Sequence, residues 1–162
     1  MYAWNRFTFT IAGETDTGNP QNYRQAIERM LTPEERRRVW FPGPLSRKQL
    51  FPLYFTSTLF LFPSLFENSP YALLEAMTAG LPVIAASGGG IPEIVTHDET
   101  GLLFQPDNRE ELVTNIRSLY RDRSRAAVLG RNAREAVQRM FDPDQIITEH
   151  CDFYRATLAV CS

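Results

Sequence analysis

The stretch ENSPYALLEAMTAGLPVIA, residues 67–85, places one carboxylate before a short helix, a second inside the helix, and an apolar strand directly after it. Ser69 can cap this helix, Pro70 suits its first position, and Gly80 ends it. The run VIAA that follows is typical of a strand covered on both faces. A helix that only packs against a sheet needs neither carboxylate, so the stretch predicts both a fold and a binding site.

Strands and helices alternate on both sides of this stretch. Residues 7–12 alternate between apolar and other side chains, which predicts a strand that ends at Gly13. Further short strands are predicted at residues 39–41, 59–62 and 102–104, and helices at residues 20–31, 46–55, 69–80, 92–95, 107–120, 123–140 and 143–159. Such alternation produces parallel strands joined by right-handed crossovers. We therefore predict an α/β fold, a Rossmann-like doubly wound parallel sheet with helices on both faces, in a single domain over residues 1–162.

Composition limits the classes of function. The chain has 162 residues, 43% apolar and 22% charged, with a net charge of -2, which gives no electrostatic case for nucleic acid or an anionic membrane. Neither a bilayer-spanning run nor a signal peptide is visible. Cys151 and Cys161 would lie about 15 Å apart along one helix and could not form a disulfide. We therefore expect a cytoplasmic protein.

Loops of small residues follow the predicted strands. Ligands of open α/β sheets bind beyond the carboxyl ends of the strands, and here these ends carry Gly13, Gly43, Ser64 and the run SGGG at residues 87–90. Each loop alone is explained by a turn. Four such loops at one edge of the sheet favour a binding site there.

The helix that begins after Ser69 is a candidate anion site at this edge. The backbone N–H groups of Tyr71, Ala72 and Leu73 have no acceptor within the helix, and a helix start attracts phosphate. The Ser69 side chain can accept a hydrogen bond from only one of them. The remaining donors are therefore predicted to hold an anion.

The two carboxylates flank this helix start. Glu75 lies on the side of the helix away from Leu73 and Met77, which are expected to face the core, and a carboxylate there can accept both hydroxyls of a ribose. Glu67 lies in the loop before the helix, beside whatever the phosphate carries. The alternative is that both are ordinary acids near a helix start, favoured by its dipole.

Other chemical motifs are absent from the sequence. It has no G-x-x-x-x-G-K-[ST] and no G-x-G-x-x-G after the first strand, so neither a P-loop nor a dinucleotide site is predicted. His97 and His150 have no partners at metal-ligand spacing, and no serine lies in a G-x-S-x-G elbow. We expect no metal and no cofactor.

Residues 63–108, PSLFENSPYALLEAMTAGLPVIAASGGGIPEIVTHDETGLLFQPDN, closely resemble the signature block of the retaining glycosyltransferases of family 4, group 1 glycosyltransferases with the two-lobed GT-B fold. The matching parts are the PS pair, Glu67 and Glu75 with seven residues between them, EAMTAGLPVIA, GGIPE and TGLLF. VWFPGPL at residues 39–45 also fits. The resemblance implies the C-terminal, donor-binding lobe of such an enzyme.

The resemblance also implies roles for individual residues. Glu75 would bind the ribose hydroxyls, and Glu67 would contact the donor sugar as the catalytic residue. The loop and helix start would supply donors to the sugar and the diphosphate, from Asn68, Ser69, Pro70, Tyr71, Ala72 and Leu73. Gly43, Pro44 and Leu45 would lie beside the base. The implied reaction is transfer of a hexosyl group from a nucleotide-diphosphate sugar, such as a UDP- or GDP-sugar, to an acceptor.

Two departures from the family pattern bear on function. Residues 68–70 are Asn-Ser-Pro, where many members have Gly-Phe-Gly. The N-terminal acceptor lobe is missing, as is the usual first strand of this lobe with its phosphate-binding Arg and Lys. We therefore expect the isolated chain to be inactive, and the full-length enzyme to be cytoplasmic or peripheral to the inner membrane.

The missing strand is normally central, so its absence leaves two strand edges without a partner. We expect either direct pairing of the flanking strands or a homodimer through these edges. The alternative function is a non-catalytic, stand-alone module that binds a nucleotide sugar or another protein. A sugar-nucleotide epimerase of similar fold fits GGIPE and TGLLF less well.

Overall fold

The structure is a computed structural model that describes residues 7–13, 23–65, 67 and 70–160. The chain divides into two compact units, with the boundary between Pro52 and Leu53. The segment after Gly13 and the start of the helix predicted from residue 20 lie outside the described residues, as does Cys161.

The first unit contains two parallel strands and the helices between them. Its elements are β1 (Phe9–Ala12), α1 (Tyr23–Met30), α2 (Pro33–Arg36), β2 (Val39–Gly43) and the beginning of α3 (Arg47–Thr56). β1 pairs with β2 in parallel, Phe9 opposite Val39, and the register shifts before Ala12 pairs with Gly43. Among the described residues of this unit, none is fully buried; Phe9 and Ile11 are half-buried and alternate with exposed neighbours.

The short helix α2 is absent from the sequence prediction, although the residues TPEE carry a signal for it. Thr32 Oγ1 accepts a hydrogen bond from the Glu35 N–H at 3.3 Å, and the Glu35 carboxylate accepts one from the Thr32 N–H at 2.8 Å. This reciprocal arrangement is a capping box, and Pro33 occupies the first turn.

The second unit contains the larger sheet. Its elements are the remainder of α3, β3 (Phe60–Phe62), α4 (Tyr71–Thr78), β4 (Val83–Ala86), α5 (Ile91–Ile94), β5 (Leu102–Phe104), α6 (Arg109–Arg121), α7 (Arg123–Met140) and α8 (Pro143–Val160). The three strands are parallel, in the order β3-β4-β5. Because parallel strands share a direction, their carboxyl ends lie at one edge of this sheet.

The core of the second unit is built around β4. All four residues of β4 are completely buried, as the apolar run predicts, and so are Leu73 and Met77 on α4. The end of α4 lies directly against α7, because a Cβ at Gly130 would lie 2.2 Å from the Gly80 carbonyl oxygen. The residues of β3, Phe60, Leu61 and Phe62, are only half-buried.

The predicted α/β class, with parallel strands and helices on both sides, is confirmed. The described strands lie in two sheets, of two and three strands. The expected alternatives, direct pairing of the flanking strands or a homodimer through their edges, both stay predictions. Among the described helices, none is long and apolar enough to cross a membrane. The cytoplasmic location stays a prediction.

Candidate functional site

Two loops meet at the carboxyl edge of the three-stranded sheet. We call residues 63–70, between β3 and α4, the Glu67 loop, and residues 87–90, between β4 and α5, the glycine loop. Ser87 ties the glycine loop to the end of β5, because its N–H and its hydroxyl both donate to the Phe104 carbonyl oxygen, at 2.9 Å and 3.2 Å.

The glycine loop holds the backbone of the Glu67 loop in place. A Cβ at Gly88 would lie 2.0 Å from the Leu65 carbonyl oxygen, and one at Gly89 would lie 2.6 Å from the Glu67 carbonyl oxygen. The Gly90 N–H donates to that same Glu67 oxygen at 3.0 Å. The glycines are therefore needed for contact between two backbone segments, in addition to the turn that the sequence predicts.

The Glu67 carboxylate lies half-buried at this edge. Its Oε1 accepts a hydrogen bond from the Ser64 hydroxyl at 3.1 Å. Ser64 belongs to the PS pair in the sequence. Because Ser64 and Glu67 both lie in a loop, their spacing of three residues does not predict the hydrogen bond between them. Asn68 and Ser69 lie outside the described residues, so their predicted roles stay predictions.

The start of α4 differs in detail from the prediction. The first helical residue is Tyr71, and the buried Pro70 occupies the N-cap position without a side-chain cap. The Pro70 carbonyl oxygen accepts hydrogen bonds from the N–H groups of Leu73 and Leu74, at 3.0 Å and 3.1 Å. The prediction that the Leu73 N–H is free is therefore wrong. Within the described part of the chain, no residue accepts a hydrogen bond from the Tyr71 or Ala72 N–H.

Glu75 lies on the side of α4 away from the core. Leu73 and Met77 are completely buried, as expected, whereas Glu75 is half-buried. Its Oε2 accepts a hydrogen bond from the Tyr54 hydroxyl at 3.3 Å. Glu67 and Glu75 are both half-buried, so neither side chain is fully exposed to bulk water.

Tyr54 is a residue of this site that the sequence does not reveal. Its side chain is 4% exposed, and its ring packs edge-on against Phe60, with centroids 5.7 Å apart. Burial first, and then the charge and hydrogen bond of Glu75, raise the pKa of Tyr54 to about 12. Tyr54 and Glu75 lie 21 residues apart, so no helical or strand period relates them.

The predicted base-contacting residues Gly43, Pro44 and Leu45 belong to the first unit. Gly43 ends β2 with φ of +76°, and its carbonyl oxygen accepts a hydrogen bond from the Gly13 N–H at 3.1 Å. A Cβ at Gly43 would meet nothing within 4 Å, so backbone conformation and not crowding favours glycine here. Pro44 is exposed and Leu45 is half-buried.

In the part of the chain that the structure describes, no group of three or more His, Cys, Asp or Glu residues could hold a metal ion. The site contains two carboxylates, each of which accepts a hydrogen bond from a hydroxyl group. It also contains the start of α4, where the N–H groups of Tyr71 and Ala72 are backbone donors. These groups suit a ligand that has both hydroxyls and an anionic part.

Comparisons with known proteins indicate what that ligand is in similar molecules. The family model of glycosyl transferases group 1 matches residues 5–136. The sulfoquinovosyl transferase SQD2 of Arabidopsis thaliana is 37% identical over 120 residues, 72% of this chain and 23% of its own.

Two solved structures are similar over 93% of the chain. They are the sucrose-phosphate synthase of Thermosynechococcus elongatus, with a TM-score of 0.74 and 30% identity, and Anabaena Alr3699/HepE in complex with UDP, with a TM-score of 0.79 and 27% identity. The chain covers 38% and 41% of these two proteins. It therefore spans less than half the length of each of the three proteins compared.

Proposed function

The chain belongs to the group 1 glycosyltransferases, and from this premise we propose that it is the donor-binding domain of a retaining enzyme that transfers a hexosyl group from a nucleotide-diphosphate sugar to an acceptor. The observation that carries the proposal is the pair of half-buried carboxylates, Glu67 and Glu75, on either side of the start of α4. The Anabaena neighbour, which was solved with UDP, supports a nucleotide diphosphate as the ligand.

Each group of the site has a role in this proposal. Glu75 accepts the ribose hydroxyls, because a carboxylate oxygen offers several acceptor positions and can bind two donors at once. The N–H groups of Tyr71 and Ala72 donate to the diphosphate, and the dipole of α4 favours its charge. Glu67 is the catalytic residue, which contacts the donor sugar.

The remaining predicted residues complete the donor site. On the family resemblance alone, we propose that Asn68, Ser69 and Pro70 contact the sugar and the diphosphate and that Gly43, Pro44 and Leu45 contact the base. Leu73 contributes to the site by packing alone, because its N–H already donates to the Pro70 carbonyl oxygen. As the bond to the sugar breaks, negative charge grows on the diphosphate, and donors already aimed at it lower the barrier. We propose that no metal or other cofactor takes part.

Glu75→Gln tests the ribose role. The variant keeps the shape of the side chain but loses its charge and one acceptor, so the affinity for UDP, GDP or ADP, whichever stabilises the wild type most in a thermal-shift screen, should fall by about 10- to 100-fold. Isothermal titration calorimetry measures this loss. Glu135→Gln is the matched control, because Glu135 is an exposed glutamate of α7 that lies outside the site. Unchanged affinity in Glu75→Gln would contradict the ribose role.

The acceptor lobe is the partner that this proposal requires. The chain spans 23% of the length of the Arabidopsis relative, which leaves room in such a protein for a second lobe. We expect the 162-residue chain, supplied with a nucleotide sugar and a range of acceptors, to transfer no sugar, because half of the catalytic cleft is absent. Release of nucleotide diphosphate that depends on the acceptor would contradict this expectation.

The alternative is a non-catalytic, stand-alone binding module, and a homodimer through sheet edges fits either function. Each of the two described sheets has edge strands, and edge strands tend to pair with further strands, so the homodimer is tested directly. Light scattering coupled to size-exclusion chromatography distinguishes the monomer from the homodimer. A monomer at all concentrations would exclude pairing between copies of the chain.

A further inference from the structure

We propose that Tyr54 is a positioning residue for Glu75, because its hydroxyl holds the Glu75 carboxylate in the orientation that accepts the ribose hydroxyls of the donor. This role rests on the proposed function of Glu75. It adds a residue that lies outside the segment of the family signature and reaches the site from α3, the helix before β3.

The Tyr54 ring is held firmly enough to act as a support. It is 4% exposed, and its edge-on contact with Phe60 links it to β3, where Phe60 in turn stacks against Phe62 at a centroid distance of 6.0 Å. β3 leads directly into the Glu67 loop. The Tyr54 ring therefore packs against the strand that precedes the Glu67 loop.

The hydrogen bond leaves Glu75 able to bind a ligand. A carboxylate has about four acceptor positions, and Tyr54 occupies one of those on Oε2. A carboxylate that accepts one hydrogen bond from Tyr54 can therefore also accept hydrogen bonds from ligand hydroxyls. Because burial raises the pKa of Tyr54 to about 12, its hydroxyl stays protonated and acts as a donor at neutral pH.

Holding Glu75 in place favours ligand binding for an entropic reason. A free glutamate side chain has several rotamers and loses this freedom when it accepts two ligand hydroxyls, whereas a glutamate already bound to Tyr54 has less freedom to lose. The separation of 3.3 Å is longer than most O–H···O hydrogen bonds, so the bond is weak. We therefore expect a modest effect on affinity.

Tyr54→Phe tests the proposal in the 162-residue chain, because it removes the hydroxyl and keeps the ring against Phe60. The affinities for UDP and for 2′,3′-dideoxy-UDP are measured by calorimetry, and the corresponding GDP or ADP pair replaces them if the wild type prefers that base. We expect Tyr54→Phe to bind the ribonucleotide about 3- to 10-fold more weakly and to bind the dideoxy analogue as the wild type does. A general loss of structure would weaken the binding of both ligands.

Tyr154→Phe is the matched control. Tyr154 lies on α8, is 62% exposed, and its hydroxyl makes no hydrogen bond with any described residue, so its removal should change neither affinity. If Tyr54→Phe does not fold, the same pair of measurements is made on Tyr54→4-methylphenylalanine, which fills the volume of the hydroxyl without a donor.

The outcomes separate this role from the proposed function. Equal weakening of both ligands by Tyr54→Phe, or no weakening of either, would overturn the positioning role while leaving nucleotide binding intact. A wild type that binds the ribonucleotide and the dideoxy analogue equally well would instead overturn the ribose role of Glu75, and the role of Tyr54 with it. A wild type that binds neither would overturn the proposed donor site as a whole.

Discussion

The two carboxylates of the candidate site are held by different means. Glu67 is positioned through its backbone, since the Gly90 N–H binds its carbonyl oxygen, and its side chain accepts a bond from a hydroxyl in the same loop. Glu75 is positioned through its side chain, by a tyrosine from another helix. Both therefore accept hydrogen bonds from neutral hydroxyls, which orient a carboxylate without neutralising its charge.

The pKa of Tyr54 predicts a pH dependence of stability. The folded protein raises this pKa from 10.0 to about 12, so folding favours the protonated phenol. The contribution of the phenol to stability is complete below pH 10 and is lost as the pH rises from about 10 to about 12. We expect the difference in the free energy of unfolding between wild type and Tyr54→Phe to shrink across this interval.

Urea unfolding at a series of alkaline pH values measures this difference, and absorbance at about 295 nm follows phenol ionisation directly. A wild-type minus Tyr54→Phe difference spectrum that titrates near pH 10 would show that the folded protein does not stabilise the protonated phenol of Tyr54.

At the scale of elements, the candidate site depends on how closely the glycine loop approaches the Glu67 loop. Backbone groups join the two loops, because the Gly90 N–H donates to the Glu67 carbonyl oxygen. The glycine loop can approach the backbone of the Glu67 loop so closely only where side chains are absent, as at Gly88 and Gly89. This contact makes the position of one loop depend on the other, although the contacting residues, Leu65 with Gly88 and Glu67 with Gly89, lie 23 and 22 positions apart in the sequence.

Gly88→Ala tests the importance of this contact. The added Cβ would lie 2.0 Å from the Leu65 carbonyl oxygen, which is backbone and cannot rotate away, so the loops must separate. We expect a loss of about 2–3 kcal/mol in the free energy of unfolding, and weaker nucleotide binding because Glu67 moves.

Gly43→Ala is the comparison, because its Cβ would meet nothing within 4 Å and only its φ of +76° is unfavourable. It should cost about 1 kcal/mol. Urea unfolding of both variants measures the two losses. A smaller loss for Gly88→Ala than for Gly43→Ala would indicate that the loops separate easily and that the contact contributes little.

At the scale of the whole molecule, the two units differ in the depth of their cores. All four residues of β4 in the second unit are completely buried, whereas no described residue of the first unit is. Local opening requires less free energy where it exposes fewer buried apolar side chains to water. The first unit should therefore open more readily than the second.

Hydrogen exchange followed by mass spectrometry tests this difference. We expect backbone amides of β1, Phe9–Ala12, to exchange at least tenfold faster than those of β4, Val83–Ala86, because about 1.4 kcal/mol in opening free energy corresponds to a factor of ten. Added nucleotide should slow exchange in the Glu67 loop. Equal protection of β1 and β4 would indicate that the two units open together.

Local patterns in the sequence predict many of the elements. β4 and β5 agree with the structure to the residue, and α6 and α7 agree to within two residues, because a continuous apolar run indicates a buried strand and an amphipathic helix has a period that is visible in the chain. The helix α2 can be predicted in the same way, because its capping box lies within four consecutive residues. Glu67 and Glu75 are predicted as site residues from a motif of fixed spacing, and their roles stay predictions.

The sequence by itself determined the alternation of strands and helices, the buried β4 strand and the two candidate carboxylates, because each depends on neighbours within a few residues. Only the tertiary structure decided that the strands form two sheets, that glycines bring two loops into contact, and that Tyr54 reaches Glu75 from 21 residues away. Such contacts depend on how whole elements pack, and no local period records which side chains that packing brings together.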